Sequence, residues 1–300
     1  MCNSSGGPSG SVPGAYAALN RPDAGARGWP PAPEPLPVPV MDNHTHLDFP
    51  ADAGVVPAAQ ALDAAAAVGV RGAVQVGTDL ESSRRTVELV EQEPRLLGAV
   101  AIHPNDAPDL AVAGTLEAAL AEIEQLARHP RVRAVGETGL DYFRTGPEGL
   151  ERQQYSFRRH IDIAKRTGTA LQIHDRDAHQ DVVRILREEG APEKVVFHCF
   201  SGDAELARTC NDSGWYMSFA GTVTFRNAAY LREALAVADP SLMLVETDAP
   251  FLTPHPWRGR PNASYLVPAT VRSMAAELDR DLAALCTDLA ANTERVYGTW

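Results

Sequence analysis

From Val38 onward, short runs of β-branched and aliphatic residues alternate eight times with stretches rich in Ala, Leu, Arg and Glu. This alternation constrains the fold more than any other feature, because a strand–helix repeat returns each strand parallel to the last. Strands are predicted at 38–44, 72–77, 96–102, 132–137, 169–174, 194–199, 215–219 and 242–247. Helices are predicted near 57–68, 81–92, 114–128, 149–167, 177–189, 203–212 and 226–238, with two more near 264–278 and 281–297. Short apolar runs alone do not separate a closed barrel from an open doubly wound sheet. The polar residues do.

His44, His103, Glu137, His174, His198 and Asp248 each stand at or just past the C-terminal end of a predicted strand. Strands one, four, five, six and eight of an open sheet could not all reach one point. A barrel brings every C-terminal strand end to a single mouth. The expected class is therefore α/β, a (β/α)8 TIM barrel over residues 38–300, close to the usual size of about 250 residues. Residues 1–37 are rich in Gly, Ser, Ala and Pro and run into a Trp-Pro-Pro-Ala-Pro segment. Such a composition buries too little apolar area to offset its ordering entropy, so a disordered tail is expected, extended where proline dominates. A ligand for a proline-recognition domain is the alternative.

No run approaches the roughly 18 to 20 apolar residues of a membrane span, and no basic patch leads an apolar core as in a secretory leader. A soluble, cytoplasmic protein is expected, with no membrane association and no obligate protein partner. Cys2, Cys199, Cys210 and Cys286 form no CxxC pair, which excludes a disulfide framework and a zinc knuckle. Cys199 follows His198 directly and is expected to pack on the opposite face. The net charge of −12 argues against tight, non-specific duplex binding. It does not exclude a phosphate substrate at a metal site, where the ion reverses the local field.

Imidazoles and carboxylates converging on one mouth suit divalent metals. His44 and His46, one residue apart on a strand, share a face, and Asp42 is placed to orient one of their rings. Glu137 ends an apolar strand, where a buried carboxylate costs several kcal/mol unless a cation or donor meets it. A carboxylate can also bridge two ions; the alternative is a buried partner for an arginine. His174 and His198 end consecutive strands as expected ligands. Asp248, at the eighth strand, neighbours His44 and His46. It is expected both to bind their ion and to accept a proton, so that Glu137 and Asp248 are the catalytic pair.

Taken in order, DNHTHLD, AIHP, GETGLDY, QIHDRDA, FHCFSG and ETDAPFL resemble the TatD family of metal-dependent deoxyribonucleases, within the amidohydrolase-like hydrolases. The resemblance spans 38–300. It implies one ion held by His44, His46, Glu137 and Asp248, and a second held by Glu137, His174 and His198. It implies two divalent ions per subunit (Mg2+, Mn2+ or Zn2+) and hydrolysis of DNA phosphodiesters, with single strands degraded from the 3′ end. A small-molecule amide, ester or phosphate hydrolase using the same centre is the alternative, because fold does not settle substrate. A scaffold protein keeping metal only structurally would have lost Asp248 or Glu137, and neither is lost. Where the family carries Arg-Asn-Glu-Pro, this chain reads Arg260-Pro261-Asn262-Ala263.

His103, Arg176 and Arg260 are the expected substrate contacts. His103 either touches substrate phosphate or makes a structural hydrogen bond. Arg176 either grips phosphate or pairs with Asp175 or Asp177. Ser201-Gly202 either presents an anion-binding helix start or simply caps it. In the loop 250–262, Trp257 between Arg258 and Arg260 either stacks a nucleobase or belongs to a proline-stiffened cover. His129, His160, His179 and His255 are expected at the surface.

Overall fold

Eight parallel strands pair in chain order: β1 (Val40–Thr45), β2 (Val70–Val76), β3 (Leu96–Val100), β4 (Val132–Asp141), β5 (Ala170–Arg176), β6 (Val195–Phe197), β7 (Tyr216–Phe219) and β8 (Met243–Val245). The structure is a computed structural model that describes residues 10–17, 28–49 and 55–300. β8 returns to β1 through a parallel bridge between Thr45 and Ala249. There Asp248 N–H donates to the His44 carbonyl at 2.9 Å and His46 N–H donates to the Ala249 carbonyl at 2.8 Å. The sheet thus closes into the expected (β/α)8 barrel, and it closes through the residues that carry the site. Among the described residues no helix is long and apolar enough to cross a membrane.

The helix Pro147–Thr167 shows why the outer ring forms where it does. It opens on a proline with Glu148 in the first turn and ends on Lys165, Arg166 and the left-handed Gly168, matching its charges to the helix dipole. Phe157, Ile161 and Ala164 fall on one face and are buried in the main apolar cluster with Val135, Leu171 and Ile173. Alternate strand residues Val74, Val76, Leu97, Ala99, Ala134 and Val196 make a second, separate apolar cluster. Period-two alternation along the strands yields these two layers.

β6 and β8 hold only three residues each, shorter than predicted. The chain leaves the ladder as it reaches the mouth, where Cys199 (φ 41°) and Asp248 (φ 54°) take left-handed backbone. β4 instead runs on to Asp141, because Thr138 to Asp141 pair with Ile173 to Arg176.

The expected disorder of residues 1–37 does not hold where that segment is described. Tyr16, Trp29 and Leu36 are buried. The Tyr16 ring lies 4.5 Å from Trp29 and 4.9 Å from Tyr265, between ring centroids. Tyr265 Oη donates to the Pro30 carbonyl at 2.7 Å, and Arg272 donates to the Pro35 carbonyl at 3.0 Å. Composition hid this, because three apolar side chains supply the anchoring in a segment otherwise poor in them. Residues 1–9 and 18–27 lie outside the described residues. Replacing Trp29 by Ala should cost about 3 kcal/mol, as for other buried aromatic truncations. Urea unfolding of wild type and variant measures it, and a change under about 0.5 kcal/mol would show a merely decorative contact.

His160 is not at the surface. It is fully buried, its Nε2 accepting from Ile102 N–H at 3.1 Å and its Nδ1 donating to the Ser156 carbonyl at 2.7 Å. Burial lowers its pKa to about 4. The unfolded chain, with a histidine pKa of about 6.5, binds this proton first, so stability falls as pH drops from about 6.5 to about 4. His160→Gln should flatten the pH dependence of stability in that window by about 3 kcal/mol, read from unfolding midpoints at several pH values.

Candidate metal centre

Two strand irregularities aim the ligands. Between Asp42 and Thr45, β1 spends one more residue than β2, and between Val135 and Thr138, β4 spends one more than β5. Each is a bulge of the kind that re-aims side chains, and they fall at His44 and at Gly136-Glu137. Gly139 (φ 139°) lets β4 press on β5, since a Cβ there would meet the His174 carbonyl oxygen at 2.1 Å.

His44 Nε2 and His46 Nε2 stand 3.2 Å apart. Glu137 Oε2 lies 3.6 Å and 3.8 Å from them, and Asp248 Oδ1 lies 3.8 Å and 3.5 Å from them. A regular tetrahedron with edges of this length has its centre about 2.2 Å from each corner, close to zinc–nitrogen and zinc–oxygen bond lengths. His44, His46 and Asp248 are thus spaced to hold one divalent ion, with Glu137 Oε2 beside the same two imidazoles. The other Glu137 oxygen, Oε1, meets His174 Nδ1 at 2.6 Å, His198 Nε2 at 2.9 Å and His103 Nε2 at 3.4 Å. One carboxylate thus faces two separate imidazole sets.

A supporting layer holds the rings. Glu246 Oε1 lies 3.0 Å from His198 Nδ1 and accepts from Cys199 N–H at 2.7 Å. Asp141 Oδ2 lies 3.1 Å from His174 Nε2. His46 Nδ1 bonds the Val76 carbonyl at 3.0 Å. Both Glu246 and Asp141 sit in motifs already quoted, but their backing role could be read only after the rings were placed. Asp42, expected behind an imidazole, instead accepts from Thr247 N–H at 2.8 Å and Thr247 Oγ1 at 2.6 Å. It joins β1 to the β8 end rather than steering a ring.

Burial opposes charge throughout, yet the partners prevail. His198, Glu137 and Glu246 illustrate it: the two carboxylates raise the His198 pKa well above its usual value. Burial likewise works against a charged His174, but Asp141 and Glu137 lift it to about 9. Glu137 is held well below the carboxylate range, chiefly by His198 and His103 against its burial, and Asp248 is held down by His46 and His198. His44 goes the other way. Burial and the His198 ring stacked 3.8 Å away lower its pKa, keeping it neutral and ready to ligate.

The remaining expectations divide. His103 makes the structural hydrogen bond, its Nδ1 accepting from Asn105 N–H at 3.1 Å, while its Nε2 lies 3.4 Å from Glu137 Oε1. Arg176 stacks 3.9 Å over Phe143. Arg260 Nε donates to the Gly28 carbonyl at 2.8 Å, which ties that side chain to the N-terminal segment. Trp257 is buried, and the solvent-facing aromatic of its loop is Phe251. The helix after Ser201-Gly202 is capped by Asp203, which accepts from Glu205 and Leu206 N–H, so those donors are already occupied. His179 is half-buried against Asp175 at 2.7 Å. Cys199 is partly exposed rather than fully packed away.

A closed parallel barrel with a buried imidazole and carboxylate cluster at its C-terminal mouth defines a metal-dependent hydrolase. Residues 41–298 match the family described as TatD related DNase, and the chain belongs to that family. It is 46% identical over 263 residues to the uncharacterized metal-dependent hydrolase TatD of Mycobacterium tuberculosis, across 86% of this chain and 98% of the relative. It is 36% identical to the uncharacterized metal-dependent hydrolase YabD of Bacillus subtilis, with the same 86% and 98% coverage. The crystal structure of YjjV, a TatD homolog of Escherichia coli K12, superposes with a TM-score of 0.78 at 27% identity, covering 87% of this chain and 98% of that one.

Glu137→Ala should leave the purified protein nearly metal-free by elemental analysis, since this carboxylate faces both ligand sets; unchanged metal content would refute its bridging position. Glu246→Gln, at a carboxylate that backs His198 Nδ1 and Cys199 N–H, should weaken metal binding by about 10- to 100-fold.

Proposed function

We propose that the protein hydrolyses phosphodiester bonds of DNA, shortening single strands from the 3′ end. The observation that carries this reading is the Glu137 carboxylate with a different imidazole set at each oxygen. That arrangement suits a pair of divalent ions (Mg2+, Mn2+ or Zn2+) flanking one phosphate. His44, His46, Glu137 and Asp248 would hold the first; Glu137, His174 and His198 the second. When bound, such ions acidify water and neutralise phosphate charge, the chemistry phosphodiester hydrolysis requires. The description of the matching family as TatD related DNase supports DNA over other phosphodiesters.

The chain's own groups supply the rest. Asp248 is ionised, lies at the edge of the cluster and can take a proton from the attacking water and return it to the leaving oxygen. His103, fixed by the Asn105 amide, presents Nε2 toward a phosphate oxygen. Arg176, steadied by Phe143, offers N–H donors to the backbone on the β5 side. The acidic body, net −12, disfavours a long duplex footprint and favours a strand end held locally.

A 5′-labelled single-stranded oligonucleotide incubated with Mg2+ or Mn2+ should yield a ladder shortening from the 3′ end and stay intact with chelator. Asp248→Asn should lower turnover by about 100- to 1,000-fold, since it removes a ligand and a proton acceptor together. Full turnover in that variant would end the role given to Asp248. An intact oligonucleotide beside rapid cleavage of a small phosphate or carboxylic ester would move the reading to a small-molecule hydrolase.

A further inference from the structure

Three phenylalanines stand around the mouth with their rings in solvent: Phe49, Phe143 and Phe251, exposed by 48%, 63% and 47%. Scattered exposed apolar residues are ordinary. These differ in how their backbones are held. Phe49 N–H donates to the His46 carbonyl at 3.2 Å, and Phe251 N–H donates to the Asp248 carbonyl at 2.9 Å. Phe143 N–H donates at 3.1 Å to Asp141 Oδ1, the carboxylate whose other oxygen lies 3.1 Å from His174 Nε2. Each ring is therefore registered, through one or two hydrogen bonds, to a residue of the metal cluster.

They form two stations. Phe49 and Phe251 meet edge-to-face with centroids 5.4 Å apart, and Phe251 lies 6.4 Å from the His46 ring. Opposite them, Phe143 carries the Arg176 guanidinium 3.9 Å over one face, and Tyr142 N–H donates to the Arg176 carbonyl at 2.9 Å, bracing the stack. The first station follows β1 and β8, which are neighbours at the closing seam. The second follows β4 and β5, half-way round the strand order. The stations thus stand on opposite sides of the cluster.

Folding gains nothing by holding three large rings in water, so a ligand that covers them is the physical account. That ligand must present flat apolar groups on both sides of an anionic centre. We propose that the Phe49–Phe251 pair and the Phe143–Arg176 stack are base-stacking subsites for the nucleotides either side of the scissile phosphate. This rests on the DNA reading above and assigns its substrate selectivity. Unpaired bases can lie on such rings, whereas duplex bases are already stacked on each other, so the stations select single strands and frayed ends. Arg176 adds donors for a phosphate at the edge of its stack.

The test compares two oligonucleotides with metal-loaded protein: one intact, one carrying abasic residues on both sides of the terminal phosphodiester. In wild type, kcat/KM for the intact strand should exceed that for the abasic strand by about tenfold or more. In Phe143→Ala and Phe251→Ala that ratio should fall toward one, with thermal midpoints close to wild type. A wild-type ratio near one, or variants that keep the wild-type ratio, overturns the proposal. An equal loss on both strands also overturns it, since that marks a structural defect and not lost stacking. If wild type cleaves neither strand but turns over a small phosphodiester, the DNA reading itself has failed, and the subsites fall with it.

Discussion

The structure is organised around one buried carboxylate. Glu137 is almost inaccessible to solvent, and five imidazoles approach its two oxygens: His44 and His46 on one side, His103, His174 and His198 on the other. An ionised carboxylate in such a place costs several kcal/mol unless positive charge or donors surround it. Three departures from regular barrel geometry near the mouth serve that requirement. The bulge in β4 turns Glu137 inward, the bulge in β1 turns His44 and His46 toward it, and Gly139 lets β5 carry His174 close.

Proton and metal compete for the same atoms. His174 and His198 are pushed toward the charged form by Glu137, Asp141 and Glu246 against their burial, while Glu137 and Asp248 are held ionised. The cluster thus carries more fixed negative charge than its neutral histidines balance. Protons meet that demand when nothing else does, and a divalent ion meets it better by displacing them. Glu246 and Asp141 matter for the same reason. By accepting from the far nitrogens of His198 and His174, they turn the near nitrogens to the centre and make them better ligands.

Much of this was legible in the sequence because period and position are local. The eight strands lie within a few residues of their predicted places, and all six expected ligands gather at one mouth. What stayed hidden depends on contacts between distant segments. Nothing in the composition of residues 1–37 distinguishes a free tail from one anchored by Tyr16, Trp29 and Leu36, because the anchoring partners Tyr265 and Arg272 lie far along the chain. The bond from Arg260 Nε to the Gly28 carbonyl likewise joins segments far apart in the chain. His160 looked like one more polar residue on a helix, though it faces the sheet at the buried end of β3. Trp257 and Phe251 share one loop, and only packing decides which ring is buried and which faces solvent.

The proposed DNA substrate would set an acidic protein against a polyanion, an electrostatic problem that the mouth can resolve locally. With a net charge of −12, the whole-molecule field repels a nucleic-acid strand instead of steering it. At physiological ionic strength that repulsion is screened beyond roughly 8 Å, so a strand end can approach. Attraction then has to arise within a few ångströms of the centre. Sources of that range stand at the mouth: the imidazole and carboxylate cluster that would hold cations, the Arg176 guanidinium, and the aromatic rings flanking them. None extends along a duplex, and all reward a flexible end whose phosphate and bases can be presented together. On the proposed DNA reading, the same acidic surface that weakens general affinity would therefore favour a terminus over the body of a strand.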